Sequence, residues 1–304
     1  MKKKLILPLL CFLVVQVLLA SASRIESQEP RDDVFFQLTD SYQREVVLVS
    51  QPERIISIGP NITEIIYALG AGDLMVGRSD YCDYPLEVLD LESIGDLLDP
   101  SLEKILELDP DLVIVSTHVS LSVVQAIEQA GITTAAVFTD ETFEGVFNTI
   151  RTTAGLVGAD HAADEMIHGM QITLEEVSSR ITDAPRPRVY YVVDFGPWGD
   201  FTAGGNTFIH ELIKLAGGDN IASEVSGWSY SLERIMEQDP DMLVCSDRHD
   251  MKSRLQQAHG YRDLRAVQED QVFEIDANLL DRQGVRNARG VLELARIFHP
   301  DRFE

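Results

Sequence analysis

Ser101–Ser116 reads SLEKILELDPDLVIVS, and Ser231–Ser246 reads SLERIMEQDPDMLVCS. Nine of the sixteen positions are identical, at an offset of 130 residues. That offset is far longer than a solenoid period. In each copy an apolar spacing of helical period runs into Asp-Pro-Asp and then into a short apolar strand. Two copies of one helix–turn–strand unit, so far apart, predict two similar lobes. A pair of matched lobes predicts a cleft between them, where a ligand is held.

The rest of the chain fits this frame. Phe35–Leu38 and Glu45–Val49 flank a turn-like Thr39-Asp40-Ser41 and predict a hairpin. Arg54–Ile58 is a short apolar strand, after which Asn61 is a candidate cap for a helix closed by Gly70. In the first repeat copy Asp99 is the candidate N-cap, with Pro100 at the first helical position and Leu102, Ile105 and Leu106 facing a core. Phe143–Gly155 and His161–Thr182 read as helices, the second long and amphipathic. Strands alternating with helices on either side of it predict two Rossmann-like α/β lobes with mainly parallel sheets, bridged by one long α-helix. The expected division is 1–22, 23–157 for the first lobe, 158–185 for the bridging helix and 186–304 for the second lobe.

Residues 1–22 read as a cleaved signal peptide: a Lys2-Lys3-Lys4 start, the apolar run Leu5–Leu19, then Ala20-Ser21-Ala22. Pro8-Leu9-Leu10 before Cys11 does not suit a lipoprotein signal. The mature chain is expected to be exported and soluble. Its formal net charge of −25 argues against nucleic acid and anionic lipid as partners and fits a partner with a basic face. Cys82 and Cys245 fall in different lobes and read as free thiols. No GxGxxG, P-loop, GxSxG or HExxH pattern is present, which argues against an enzyme.

Six segments in order carry a resemblance: RIISIGPNITEIIYALGAGDLMVG, YCDYP, IGDLLDPSLEKILELDPDLVI, ELIKLAGGDNIA, SLERIMEQDPDMLV and VRNARGVLELARIFHP. Together they resemble the periplasmic substrate-binding proteins of ABC importers for iron-siderophores, haem and cobalamin, over the span from about Phe36 to the C-terminus. The resemblance implies the class III architecture, whose single bridging helix restricts hinge motion. It implies that Glu103 and Glu233, at one position of the two copies, dock on arginines of a permease dimer coupled to its ATPase. It also implies a tyrosine contact with ligand at Tyr81.

The repeat places further ligand-binding candidates. Loops at the carboxyl ends of strands in open α/β sheets hold ligands. Those loops carry His118 in the first lobe and Arg248 in the second, while Trp198, Trp228, Tyr230, Asp281 and Arg282 lie in other second-lobe loops. Large flat ligands are held by such aromatic faces, with a few polar groups fixing orientation. Haem-binding relatives often place a tyrosine after the glycine matching Gly95, where this chain has Asp96, and the cobalamin pattern's tryptophan near Leu97 is missing. The expected ligand is a corrinoid or an uncharged ferric chelate, with no resident cofactor. The alternatives are haem and bare zinc or manganese, for which His118, His210 and His249 are the histidines nearest the expected cleft.

Overall fold

A computed structural model describes residues 34–304. The expected signal peptide lies outside the described residues.

Strands β1 (Phe36–Thr39) and β2 (Glu45–Leu48) form the expected antiparallel hairpin. Buried Asp40 holds its turn, accepting hydrogen bonds from the backbone N–H groups of Tyr42 and Arg44 at 2.9 and 3.0 Å. The same carboxylate accepts from the Ala136 N–H at 3.1 Å, which fastens the hairpin to the first sheet.

That sheet comprises β3 (Ile55–Ile58), β4 (Met75–Arg78), β5 (Glu92–Ser93), β6 (Leu112–Val115) and β7 (Thr133–Ala136). All pairings are parallel, in the order β5-β4-β3-β6-β7. β3 and β6 are buried along their whole length, as expected of apolar runs with helices on both sheet faces. The connecting helices are α1 (Pro60–Ala68), α2 (Leu102–Glu107) and α3 (Leu121–Gln129). α1 starts differently from the expectation. Its N-cap is Gly59 with Pro60 in the first turn, and Asn61 lies inside the helix. Gly59 is obligatory here, because a Cβ at φ +151° would sit 2.4 Å from the Ser116 Cβ.

Helices α4 (Phe143–Val157) and α5 (Asp160–Ile181) follow. The 22 residues of α5 make a rod of about 33 Å.

The second sheet contains β8 (Arg188–Val192), and after it β9 (Asp194–Gly196) and β10 (Gly199–Phe201) form a separate antiparallel hairpin. Helix α6 (Phe208–Leu215), strand β11 (Asp219–Asn220), helix α7 (Leu232–Gln238) and strand β12 (Met242–Ser246) come next. The chain ends with α8 (Met251–Gln257), α9 (Arg265–Gln268), β13 (Val272–Ile275), α10 (Asn278–Asp281) and α11 (Asn287–Phe298). The sheet order is β11-β8-β12-β13, again parallel.

The apolar face of α5 explains how the halves are joined. Ala163, Ile167, Met170 and Val177 belong to one buried cluster that takes in Ile55 and Phe147 of the first half and Val189, Leu212 and Val291 of the second. Each half keeps a further cluster of its own on the other face of its sheet. A core shared along a rigid rod opposes large rotation of one half against the other, because opening it would expose close-packed apolar surface.

The repeat units fold alike but are capped otherwise than the sequence suggested. Ser101, not Asp99, is the N-cap of the first copy and Ser231 that of the second, accepting from Lys104 N and Arg234 N at 3.3 and 3.4 Å. Pro100 instead lies in an extended bridge opposite Gly95. Ile105 and Ile235 are buried at equivalent positions, whereas Leu106 points to solvent and not into the core. Cys82 and Cys245 are both free, as expected, and both are buried. Burial pushes the Cys245 thiol up to about 12, so it stays protonated and unreactive.

Candidate functional site

Among the described residues the two halves meet at two polar contacts. At the first, Glu64 of α1 is only 2% exposed and lies between two arginines of the second half. Arg286 donates to both its oxygens, Nε to Oε2 and Nη2 to Oε1, each at 2.7 Å. Arg282 donates to Oε1 at 2.8 Å and reaches the Asp83 carboxylate at 2.6 Å. Burial alone would raise the Asp83 carboxyl, but Arg282 outweighs it and holds the group below its ordinary value. The Arg286 guanidinium also lies over the Tyr84 ring, 4.4 Å from its centroid. Asn61 completes this contact by donating from Nδ2 to the Gln283 carbonyl at 3.2 Å.

The second contact is reciprocal. Glu141, just before α4, accepts from the Phe208 N–H that opens α6, at 2.8 Å. Glu211 of α6 accepts from the Phe143 N–H that opens α4, at 3.3 Å. Each carboxylate thus satisfies a free N–H at the positive end of the other helix. Between them the Phe143 and Phe208 rings pack 5.7 Å apart. Beside this contact an open groove of about 470 Å³ is lined by Glu141 and Thr142 on one side and by Asn206, His210, Glu211 and Lys214 on the other.

The predicted site residues fall into three sets. Tyr81, His118, Trp198, Trp228, Arg248 and Asp281 are all open to solvent. Tyr81 and His118 follow β4 and β6, and Arg248 and Asp281 follow β12 and β13, all at carboxyl ends of parallel strands. The Tyr81 hydroxyl donates to Asp96 Oδ2 at 3.1 Å, which fixes the ring across the loop. Arg248 Nη2 donates to Asn278 Oδ1 at 2.5 Å. The Asp281 carboxyl reaches solvent from a recess whose desolvation pushes it up to about 6, against the pull of Arg248 and Arg282.

Trp198 stands at the tip of the β9–β10 hairpin and is 91% exposed. The hairpin root is anchored, since Phe195 packs on Tyr261 and under Arg254. Trp228 is held by its backbone, its carbonyl accepting from the Thr202 N–H at 2.8 Å. The glycine-rich Ala203-Gly204-Gly205-Asn206 serves this packing. A Cβ on Gly205 would fall 1.9 Å from the Ser223 carbonyl oxygen, and one on Gly204 would fall 2.5 Å from that of Gly227.

Two other predicted ligand contacts are engaged inside the protein. Tyr230 is buried, its ring against Tyr190 and its hydroxyl donating to the Ile221 carbonyl. It lines a small pocket with Arg188, the first residue of β8. Arg282 has its guanidinium occupied by Glu64 and Asp83, so its charge is already neutralised within the protein. Among the described residues no three His, Cys, Asp or Glu side chains converge to hold a metal ion. No described helix is long and apolar enough to cross a membrane.

Residues 55–279 match the periplasmic binding protein family. This chain belongs to that family. It is similar to the uncharacterized ABC transporter substrate-binding lipoprotein YvrC of Bacillus subtilis, 30% identical over 291 residues that cover 93% of this chain and 92% of the relative. It is similar to a cobalamin-binding protein of Halobacterium salinarum, 30% identical over 273 residues, 86% of this chain and 73% of that one. Among solved structures it resembles the periplasmic heme-binding protein RhuT of Roseiflexus sp. RS-1 in apo form. That likeness has a TM-score of 0.75 at 25% identity and covers 82% of this chain and 99% of that one. The chain is therefore an extracytoplasmic substrate-binding protein of an ABC importer, and not an enzyme.

In this binding protein Glu103 and Glu233 occupy the same helical position of the two repeat units, and both are exposed. Glu64, Arg286, Glu141 and Glu211 escaped sequence reasoning. Only Glu64 left a signal: it is the one charge among Ile62, Thr63, Ile65 and Ile66, a run too apolar to face water.

Proposed function

We infer that the protein captures a metal chelate between its two lobes, a corrinoid first and a ferric siderophore second, and delivers it to an ABC permease dimer. Residues 23–157 and 186–304 form the lobes of this reading, with 158–185 as the bridge. The observation that carries it is a set of exposed aromatic faces, Tyr81 from the first half and Trp198 and Trp228 from the second, on loops beyond two parallel sheets. Such rings offer flat faces to a flat, largely apolar guest. Arg248 and Asp281 supply the polar contacts that orient it. The named activity of the Halobacterium relative favours cobalamin.

Haem is the alternative to that reading, favoured by the likeness to the Roseiflexus protein. Against it, Asp96 stands where haem-binding relatives often place a tyrosine, and it is already bonded to the Tyr81 hydroxyl. The lack of a convergent ligand cluster among the described residues speaks for a chelate over a bare zinc or manganese ion. Export through a cleaved signal peptide into the periplasm completes the proposal. Glu103 and Glu233 are its permease contacts.

Trp198→Ala tests the aromatic contact. The side chain is almost wholly exposed, so its removal leaves folding intact. Cyanocobalamin titrated by its visible absorbance is expected to bind the variant about tenfold or more weakly than wild type. Equal affinity would remove Trp198 from the site.

A further inference from the structure

The repeat units share more than their glutamates. Ile105 and Ile235 are fully buried, which fixes the rotation of α2 and α7 on their own lobes. The next residue in each helix is nevertheless large, apolar and exposed: Leu106 at 48% and Met236 at 46%. Glu103, Leu106 and Glu107 are spaced i, i+3, i+4, as are Glu233, Met236 and Glu237, so each trio shares a helix face. All six side chains are exposed.

The basic residue within each helix turns away from that face. Lys104 reaches back to Glu92 at 3.0 Å and to the Ser93 carbonyl at 2.8 Å. Arg234 lies over the Tyr230 ring, 4.7 Å from its centroid. Different contacts in the two lobes thus leave the same surface, one apolar knob beside two carboxylates. A chain of formal charge −25 has ample polar residues for an idle helix face.

We propose that Leu106 and Met236 are paired apolar anchors, each seating in an apolar dimple rimmed by basic side chains on one of two equivalent faces of the permease dimer. Duplication of the surface in one chain calls for a partner that offers the same face twice. The flanking carboxylates call for a basic rim, which steers encounter and sets register while the knob supplies the desolvated contact. This rests on the permease-docking reading above and names the residues that give that docking its affinity.

The test uses the full protein and its cognate permease–ATPase complex in nanodiscs. Leu106→Ser and Met236→Ser are each expected to weaken docking about tenfold, and together about a hundredfold, since the two positions lie in separate lobes and act independently. Cyanocobalamin affinity should be unchanged. Leu106→Met with Met236→Leu should dock like wild type, as should Ile172→Ser, which alters an exposed apolar residue of α5. If the serine pair docks like wild type while Glu103→Arg with Glu233→Arg does not, the anchors are wrong and the docking reading stands. If neither pair weakens docking, the docking reading itself falls, and the anchors with it.

Discussion

Reversing Glu103 and Glu233 together to arginine is expected to abolish stimulation of the cognate transporter's ATPase, a fall of about a hundredfold or more, while cyanocobalamin affinity stays within about twofold of wild type. The size of the effect follows from repulsion more than from lost attraction. An exposed ion pair contributes only about 0.2–1 kcal/mol. Placing an arginine against a basic rim at two points adds like-charge contacts, each of which costs several kcal/mol when water is excluded. Both positions are fit for the task. Each lies in the first turn of its helix and projects into solvent. Hydrogen bonds from its own backbone amide and from the Ser231 hydroxyl hold the Glu233 carboxyl below its ordinary value, so it is charged throughout the neutral range. Single reversals should give intermediate coupling. ATPase rate and ligand affinity measured on one preparation check this, and lost ligand binding with intact coupling would contradict it.

Glu64→Ala should cost about 3–5 kcal/mol of folding stability, read from urea unfolding. The carboxylate is nearly inaccessible and answers two guanidinium groups that are themselves only 12% and 14% exposed. Removing it leaves Arg286 without its bidentate partner and Arg282 with only the Asp83 carboxylate and the Tyr81 carbonyl. Glu64→Leu combined with Arg286→Met should recover much of the loss, because the burial penalty of both charges disappears together. A cost under about 1 kcal/mol for Glu64→Ala would place this contact among ordinary surface pairs.

The elements legible in the sequence were those set by local pattern. The apolar runs of β3 and β6, the helical spacing of α5 and the duplicated α2–β6 and α7–β12 units all read directly. The hairpin of β1 and β2 read equally well, because its turn chemistry is local. What failed depended on contacts from elsewhere in the chain. Asp99-Pro100 has the form of a helix start, but pairing of Pro100 with Gly95 draws it out straight and passes the cap to Ser101. Tyr230 looks like a loop aromatic, yet the Tyr230 N–H donates to the Asp200 carbonyl and its neighbour Ser229 bridges Phe201. That annexation to the β9–β10 hairpin turns its ring inward. Arg282 read as a ligand contact because its partner Glu64 lies 218 positions away, beyond any periodicity. The exposure of Tyr81 and Arg248 was legible because loops at carboxyl ends of parallel strands stay open to solvent whatever the detail of the packing.

The central claim is capture of one guest by both lobes at once. Hydrogen exchange of the full protein with and without saturating cyanocobalamin tests it most directly. Slowed exchange is expected in the Tyr81 and His118 loops of the first lobe and, equally, in the Trp198 hairpin and the Arg248 and Asp281 loops of the second, with α5 unchanged. Protection in one lobe alone, or in neither, would contradict the account.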